Sequence, residues 1–219
     1  MTALLQTIDL CCERDGRTLV DHLNLNAEAG NIYRIEGPNG SGKTTLLRVL
    51  SGLSSRYRGA VHWRGQAIDQ QRAEYLSQLL YIGHSTGVKA ALTARENLAW
   101  HASIRPADAG GGNTHSGRDM QHRIMAALQQ VGLYGYEDMP CFALSAGQQR
   151  RVGLARLFLG QVALWILDEP FTAIDRHGVA ELEGWIGQYS RQGGCVILTT
   201  HHQLTIDQPI HTIRLGEPL

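Results

Sequence analysis

The stretch Gly37-Pro38-Asn39-Gly40-Ser41-Gly42-Lys43-Thr44 matches the pattern G-x-x-x-x-G-K-S/T at every fixed position. Before it, residues 31–36 form a short β-prone run. After it, residues 45–50 have the apolar spacing of a helix, which Gly52 ends. A strand, a loop and a helix in this order are the context that the pattern requires. The sequence therefore predicts a phosphate-binding loop and a nucleotide-binding protein.

The residue types of this loop suit a nucleoside triphosphate. Its glycines let backbone N–H groups converge on a phosphate, and the start of the following helix favours an anion. Lys43 supplies a charge for the β- and γ-phosphates, and Thr44 supplies a hydroxyl for Mg²⁺. We expect ATP and Mg²⁺ as cofactors, with the loop and the next residue, Thr45, around the phosphates. A chance glycine-rich turn is the alternative, and a second polar site downstream argues against it.

Composition and charge argue against several other classes of protein. The chain has 219 residues, 43% of them apolar, and its 20 basic residues balance 20 acidic ones. Such balance gives no support for a nucleic-acid partner. Residues 1–6 lack the basic region and long apolar core of a secretory leader, so we expect none. No apolar run approaches the roughly 18 residues that suggest a membrane span. Its four cysteines, which form no C-x-x-C pair, are typical of reduced, packed thiols rather than of a metal site: Cys11, Cys12, Cys141 and Cys195.

Strand-like and helical patterns alternate along the chain and predict an α/β fold. Asp15-Gly16 favours a hairpin between strands at residues 4–12 and 23–29. Further strands are predicted at residues 58–65, ending in a turn, and at 79–83, 162–167, 195–199 and 210–215, and helices are predicted at residues 94–103, 124–131, 146–159 and 178–191. Such alternation predicts a parallel sheet covered on both faces. Thr93 and Glu96 form a capping box, and residues 105–118 are predicted to be a surface loop.

Two further segments follow the ends of buried strands, where open α/β sheets bind their ligands. Asp168 is suited to the Mg²⁺ side of a nucleotide. Glu169 is suited to polarise the water that attacks the γ-phosphate. After the next strand come His201 and His202, which the residues alone do not distinguish; adjacent side chains on an extended chain point apart, which disfavours a two-histidine metal clamp.

The stretch 144–151 carries a family resemblance. Its sequence, Leu-Ser-Ala-Gly-Gln-Gln-Arg-Arg, resembles the Leu-Ser-Gly-Gly-Gln signature of the ATP-binding-cassette family, with Ala146 in place of the first glycine. Together with the phosphate loop, Asp168-Glu169 and the segment 172–175, the resemblance covers nearly the whole chain. It implies a P-loop fold with a mixed sheet, an N-terminal antiparallel β subdomain and a helical signature subdomain.

The resemblance also assigns roles and boundaries. It implies a single domain over residues 1–219, with a nucleotide-binding core at 1–89 and 151–219 and a helical subdomain at about 90–150. It selects His201 as the histidine at the γ-phosphate. It places Ser145, Gly147 and Gln148 at the ATP of a second protomer in a two-fold homodimer. It implies that Asp175, in the segment that joins the two active sites, also contributes to nucleotide binding. Where the family has a Mg²⁺-contacting glutamine, this chain has His84; the resemblance implies that His84 contacts Mg²⁺, and a cap on the end of its strand is the alternative.

A finer resemblance links the chain to ATP-binding subunits of bacterial cytochrome c maturation. It rests on residues 144–152, 164–175 and 196–201 and on His84. It implies an ATPase bound peripherally to the cytoplasmic face of the inner membrane through integral membrane subunits of a haem exporter. The alternatives are another small ABC transporter and a soluble cassette ATPase that acts on nucleic acid or ribosomes. The family's adenine-stacking aromatic residue is absent, and Arg14 is one candidate to replace it.

Overall fold

A two-residue turn at Asp15-Gly16 joins the first two strands in the computed structural model, which describes residues 3–104 and 117–216. Both turn residues have positive φ, +52° and +73°, as a tight hairpin requires. This confirms the predicted hairpin. The antiparallel sheet has the order β2-β1-β4-β5, with β1 at Leu5–Arg14, β2 at Arg17–Ala27, β4 at Arg58–Trp63 and β5 at Gln66–Ala67.

A second sheet has five strands in the order β6-β7-β8-β3-β9. Their bounds are Ile32–Glu36 for β3, Leu79–Ile82 for β6, Leu164–Asp168 for β7, Cys195–Thr199 for β8 and Ile210–Arg214 for β9. The pairings β7·β8, β8·β3 and β3·β9 are parallel, as predicted. Every residue of β7 and β8 is buried, which is why both strands are nearly continuous apolar runs.

Among the described residues, six α-helices accompany the sheets: α1 (Lys43–Leu50), α2 (Arg72–Ser77), α3 (Ala94–Ser103), α4 (Gly117–Gln130), α5 (Ala146–Leu154) and α6 (Arg176–Arg191). The predicted capping box at α3 is present. Several details differ from prediction. The helix after Ala146 changes at residue 155 into a 3₁₀ turn, and residues 117–118 belong to α4 rather than to a loop. Neither α2 nor β5 was predicted, and β2 begins at Arg17 rather than at residue 23. The rest of that predicted loop, 105–116, lies outside the described residues.

The chain divides into two compact units. The first contains residues 3–81, Val162–Phe171 and 179–216, with a core in which Trp63 and Tyr75 are fully buried. Burial of each such large side chain contributes about 1.5–3 kcal/mol. The second contains Ile82–Gln161, apart from 105–116, and Thr172–Gly178. Apart from 105–116, the residues predicted as the helical subdomain, about 90–150, lie within this second unit, together with 82–89, 151–161 and 172–178, which were predicted as core. The predicted subdomain boundaries stay a prediction.

Candidate nucleotide-binding site

The phosphate loop connects β3 to α1 in the first unit, and its backbone admits only glycine at two positions. Gly37 has φ +152°, and a Cβ there would lie 2.6 Å from the carbonyl oxygen of Leu215. Gly42 has φ +97°, and its Cβ would lie 2.8 Å from Leu19 Cβ. Pro38, Asn39 and Gly40 are exposed, so the outer part of the loop is open to a ligand.

Two polar groups of the loop have arrangements that suit a bound phosphate. Lys43 Nζ donates to the carbonyl oxygens of Gly37, at 2.7 Å, and Pro38, at 3.1 Å, so the lysine folds across its own loop. Ser41 Oγ is buried and has no hydrogen-bond partner among the described residues. A buried hydroxyl without a partner is unfavourable, and a phosphate oxygen would satisfy it. Thr45 lies on the first turn of α1.

A hydrogen-bonded triad joins α1 to the ends of β7 and β8. Thr44 Oγ1 donates to Asp168 Oδ2 at 2.9 Å, and Thr199 Oγ1 donates to Asp168 Oδ1 at 2.7 Å. Asp168 is only 2% exposed. A hydroxyl and a carboxylate side by side are hard oxygen donors of the kind that Mg²⁺ prefers, so these residues fit the ion. The sequence alone gave Thr199 no role; its position as a polar residue at the end of a buried apolar strand was the available signal.

Glu169 has a backbone conformation that is uncommon for its residue type. Its φ is +47°, and its N–H donates to Thr199 Oγ1 at 3.0 Å. Left-handed non-glycine residues cost of order 1–3 kcal/mol and cluster at functional sites. Glu169 Oε1 lies 3.5 Å from Nε2 of His201, whose side chain is 68% exposed. The structure thus brings together the carboxylate and the histidine that were predicted to act on the attacking water.

The structure distinguishes the two adjacent histidines. His202 Nε2 lies 3.2 Å from Glu183 Oε1, and its ring packs against Phe171 with ring centroids 5.0 Å apart. His202 is therefore held against α6, whereas His201 lies beside Glu169.

A cavity of about 270 Å³ lies next to the phosphate loop, and its lining includes Gly37, Lys43, Thr200 and His201.

We expect Thr199→Val to weaken both the fold and Mg²⁺ binding. Valine keeps the shape but leaves Asp168 Oδ1 without its buried donor, which costs about 1–3 kcal/mol in the free energy of unfolding. Loss of a group that orients a metal ligand lowers metal affinity by about 10–100-fold. Urea denaturation and the Mg²⁺ dependence of ATP hydrolysis measure the two effects. Thr212→Val, at an exposed position of β9, is the control and should shift stability by no more than about 0.5 kcal/mol.

In the second unit, Ser145 caps the N-terminus of α5. Its Oγ accepts from the N–H of Gln148 at 3.2 Å, and Gln148 Oε1 accepts from the N–H of Ser145 at 2.9 Å. A Cβ at Gly147 would lie 3.4 Å from the carbonyl oxygen of Ala173. Ser145 and Ala146 are exposed. The helix therefore presents its N-terminal end to solvent, where backbone N–H groups favour an anion.

Two arginines after the signature hold neighbouring segments of the same unit. Arg150, 3% exposed, donates to the carbonyl oxygens of Gly83 and His84 at 3.5 and 3.3 Å. Arg151 donates to the carbonyl of Val131 at 2.9 Å and lies 3.6 Å from Asp175 Oδ1. The signature sequence alone assigns neither arginine a role. The side chain of His84 is exposed, and its contact with Mg²⁺ stays a prediction.

Asp175 is held in its ionised form. The N–H of Gly178 donates to its Oδ1 at 2.8 Å and, with Arg151 and His177, lowers the pKa of this carboxyl from its ordinary value.

Arg14, the candidate for adenine stacking, has a 73% exposed side chain that lies 3.5 Å from Asp15. The stacking of Arg14 on adenine stays a prediction.

The fold and the site define a P-loop nucleotide-binding domain with a signature helix. The chain belongs to the ABC transporter family, whose model matches residues 20–172. The family predicted from the phosphate loop and the signature is therefore confirmed. None of the described helices is both long and apolar enough to cross a membrane.

Individual relatives match nearly the whole chain. It is 49% identical to the cytochrome c biogenesis ATP-binding export protein CcmA of Hahella chejuensis, over 98% of this chain and 97% of that protein. It is 50% identical to the protein of the same name from Pseudomonas fluorescens, over 92% of this chain and 90% of that one. Among solved structures, a dimeric post-hydrolysis ATP-binding cassette, MJ0796 with ADP and Pi, superposes with a TM-score of 0.82 at 20% identity, covering 97% of each chain. This likeness confirms the predicted fold class.

Proposed function

We propose that this chain is the ATP-hydrolysing subunit of an export complex for cytochrome c biogenesis. The observation that carries the proposal is about 50% identity, over nearly full length, to proteins named for that export. The hydrogen-bonded arrangement of Thr44, Asp168 and Thr199 beside Glu169 supports the hydrolytic part. The same function was expected from the sequence resemblance.

Different residues of the first unit have different roles in ATP hydrolysis. Lys43 exchanges its loop carbonyls for phosphate oxygens, and the N–H groups of the loop bind the same anion. Thr44 and Asp168 would hold Mg²⁺, which neutralises phosphate charge when bound. Glu169 accepts a proton from the attacking water, and His201, next to it, holds the water and the γ-phosphate in place. Burial of Asp168 fixes the direction of its carboxylate before the nucleotide arrives.

The second half of each site comes from another copy of the chain. Ser145, Gly147 and Gln148 lie at an exposed helix N-terminus in the second unit, which suits the γ-phosphate of a partner protomer. The related cassette was solved as a dimer with ADP and Pi. Two chains would therefore enclose two ATP molecules with two-fold symmetry, and Asp175 would lie at the junction of the two sites.

Substitution of Ser145 separates capping of α5 from binding of the partner's phosphate. Aspartate is as good an N-cap as serine, so Ser145→Asp should fold normally, but its charge repels a γ-phosphate. We expect unchanged ATP affinity at the chain's own phosphate loop, by calorimetry, and at least a tenfold loss of hydrolysis. The neutral cap Ser145→Asn is the matched control. Equal activity of the aspartate and asparagine variants would contradict the proposed role of Ser145.

The partners would be integral membrane subunits of the haem export complex. The second unit carries exposed aromatic residues that favour such a contact, including Tyr134 at 76% and Phe142 at 69% exposure. In this arrangement the chain is peripheral on the cytoplasmic face of the inner membrane. Closure and reopening of the ATP dimer would drive release of a haem-loaded chaperone.

Isolation of the complex tests this function. Tagged Glu169→Gln is purified with ATP from detergent-solubilised membranes, the copurifying proteins are identified, and a haem absorption spectrum is recorded on the same sample. We expect membrane subunits of cytochrome c maturation. Unrelated permeases would assign the chain to another small ABC transporter, and ribosomes or nucleic acid would assign it to the soluble class. Either result would overturn the export assignment and leave the ATPase site intact.

A further inference from the structure

A β-bulge in the antiparallel sheet brings three metal-ligand side chains together. Leu10 pairs with Leu23, and Cys12 pairs with Val20. Between these pairs, β1 has one residue, Cys11, whereas β2 has two, Asp21 and His22. The extra residue is a bulge, which locally re-aims side chains. His22 has φ +45°, so the backbone accepts an uncommon conformation at this position.

The donor atoms have the spacing of a small coordination site. Cys11 Sγ lies 3.9 Å from Asp21 Oδ1, and the same oxygen lies 3.7 Å from His22 Nε2. One ligand atom from each residue lies within 4.8 Å of the other two. In a tetrahedral zinc site, bond lengths of about 2.0–2.3 Å separate neighbouring donors by roughly 3.4–3.6 Å. Small side-chain rotations would close the remaining gap, because Asp21 and His22 are exposed.

Neighbouring groups already orient the histidine and the thiol. Asp9 Oδ1 hydrogen-bonds to His22 Nδ1, which leaves Nε2 for a metal. Metal-binding histidines commonly use such a carboxylate partner to fix the ring and its tautomer. The N–H of His22 donates to Cys11 Sγ at 3.3 Å, which holds the sulfur beside His22. Asn24 Oδ1 accepts from the N–H of Asp9 at 2.9 Å, and Asn24 Nδ2 donates to the carbonyl oxygen of His22 at 3.0 Å. Asn24 therefore links Asp9 to His22.

We propose that Cys11, Asp21 and His22 bind one divalent transition-metal ion of the zinc type, with Asp9 as the positioning residue for the imidazole. A thiolate with an imidazole selects zinc-like ions over Mg²⁺ or Ca²⁺. Thiolate and carboxylate together balance the two positive charges, and the Cys11 thiol releases its proton to solvent on binding. Three protein ligands leave a fourth position for water or another ligand. This site shares no residue with the nucleotide site.

The other three cysteines differ from Cys11 in their neighbours. Among the described residues, Cys11 is the cysteine whose sulfur lies with an aspartate and a histidine at the spacing of metal ligands. A thiolate-to-metal signal that Cys11→Ser removes would therefore report Cys11.

The experiment is a titration of untagged, chelator-stripped, nucleotide-free full-length protein with Co²⁺, followed by displacement with Zn²⁺. We expect one equivalent of Co²⁺ to produce a thiolate-to-cobalt charge-transfer band, and Zn²⁺ to remove it. Cys11→Ser should abolish the band, and His22→Ala should weaken binding at least tenfold. Asp9→Asn should weaken binding by about 10–100-fold while retaining the band at saturation.

Controls distinguish this site from loss of folding and from scattered histidines. His122→Ala, at an exposed position on α4, should titrate like the unaltered protein. Each variant should retain ATP affinity, which shows that the first unit is folded. Absence of a stoichiometric band, or a band of equal strength in Cys11→Ser, would overturn the proposal. So would equal weakening by His122→Ala and His22→Ala.

Discussion

Replacement of Lys43 by alanine should abolish measurable ATP turnover. In the structure, Nζ donates to two carbonyl oxygens of the phosphate loop, so the side chain lies where it can transfer its charge to a phosphate. Loss of one charged donor to the transferring group costs about 10²–10³ in rate or more. We expect Lys43→Ala to lower hydrolysis by at least that factor and to weaken ATP binding. Steady-state phosphate release and calorimetry measure the two quantities.

The chain provides a close control for this substitution. Lys89 is the only other lysine of the sequence, it is exposed, and its ammonium lies 3.9 Å from the ring centroid of Trp100. Lys89→Ala makes the same chemical change outside the phosphate loop and should retain both ATP affinity and turnover. Near-normal hydrolysis by Lys43→Ala would refute the assignment of the nucleotide site to the phosphate loop.

Glu169→Gln should separate ATP binding from ATP hydrolysis. Glutamine keeps the size and shape of the side chain and one acceptor oxygen, but it does not accept a proton from water. General base catalysis contributes about 10²–10⁴ to a rate, so hydrolysis should fall by that factor while ATP affinity is retained. The backbone bonds of Glu169 to Thr199 do not depend on the carboxylate, and the strained turn should persist. Single-turnover hydrolysis and nucleotide binding on the same preparation give both values.

The matched control is Glu74→Gln, which makes the same substitution at an exposed position on α2. It should hydrolyse ATP at the rate of the unaltered chain. Rapid hydrolysis by Glu169→Gln would transfer the role of general base to another residue. Equal losses in both variants would indicate a general effect of the substitution rather than a role for Glu169.

Local patterns predicted most of the fold. Three kinds of local signal, each visible over a few residues, were sufficient. Backbone sterics predict the Asp15-Gly16 turn, hydrogen bonding predicts the capping box at Thr93, and continuous apolar runs predict the buried strands β7 and β8. Short helices and strands were harder to predict from the sequence. Helix α2 has six residues and β5 only two, so neither has enough length for a periodic signal.

The candidate site was predictable where residues adjoin a recognisable motif. Asp168 and Glu169 follow a buried strand, and the structure places them with Thr44 and His201, respectively. Thr199 was missed because its role depends on the pairing register of β7 and β8, which links residues 31 positions apart. Sequence periodicity does not specify such a register between distant strands.

The cluster of Cys11, Asp21 and His22 illustrates a second limit of prediction from sequence. Regular alternation would have placed the cysteines on opposite faces of a strand, with no partner specified. A bulge in β2 instead gives Cys11 two neighbours, Asp21 and His22, and no C-x-x-C or histidine spacing signals it. All four cysteines are free and buried, as predicted, and the bulge in addition makes Cys11 a candidate ligand.

The central claim is that ATP joins two copies of the chain through the phosphate loop of one and the signature of the other. The most direct test is the mass in solution of Glu169→Gln, measured by light scattering with and without ATP, together with the amount of bound nucleotide. We predict a single chain of 24.1 kDa without ATP. With ATP, we predict twice that mass and one ATP per chain. A protein that binds ATP at full occupancy and remains a single chain would contradict the claim.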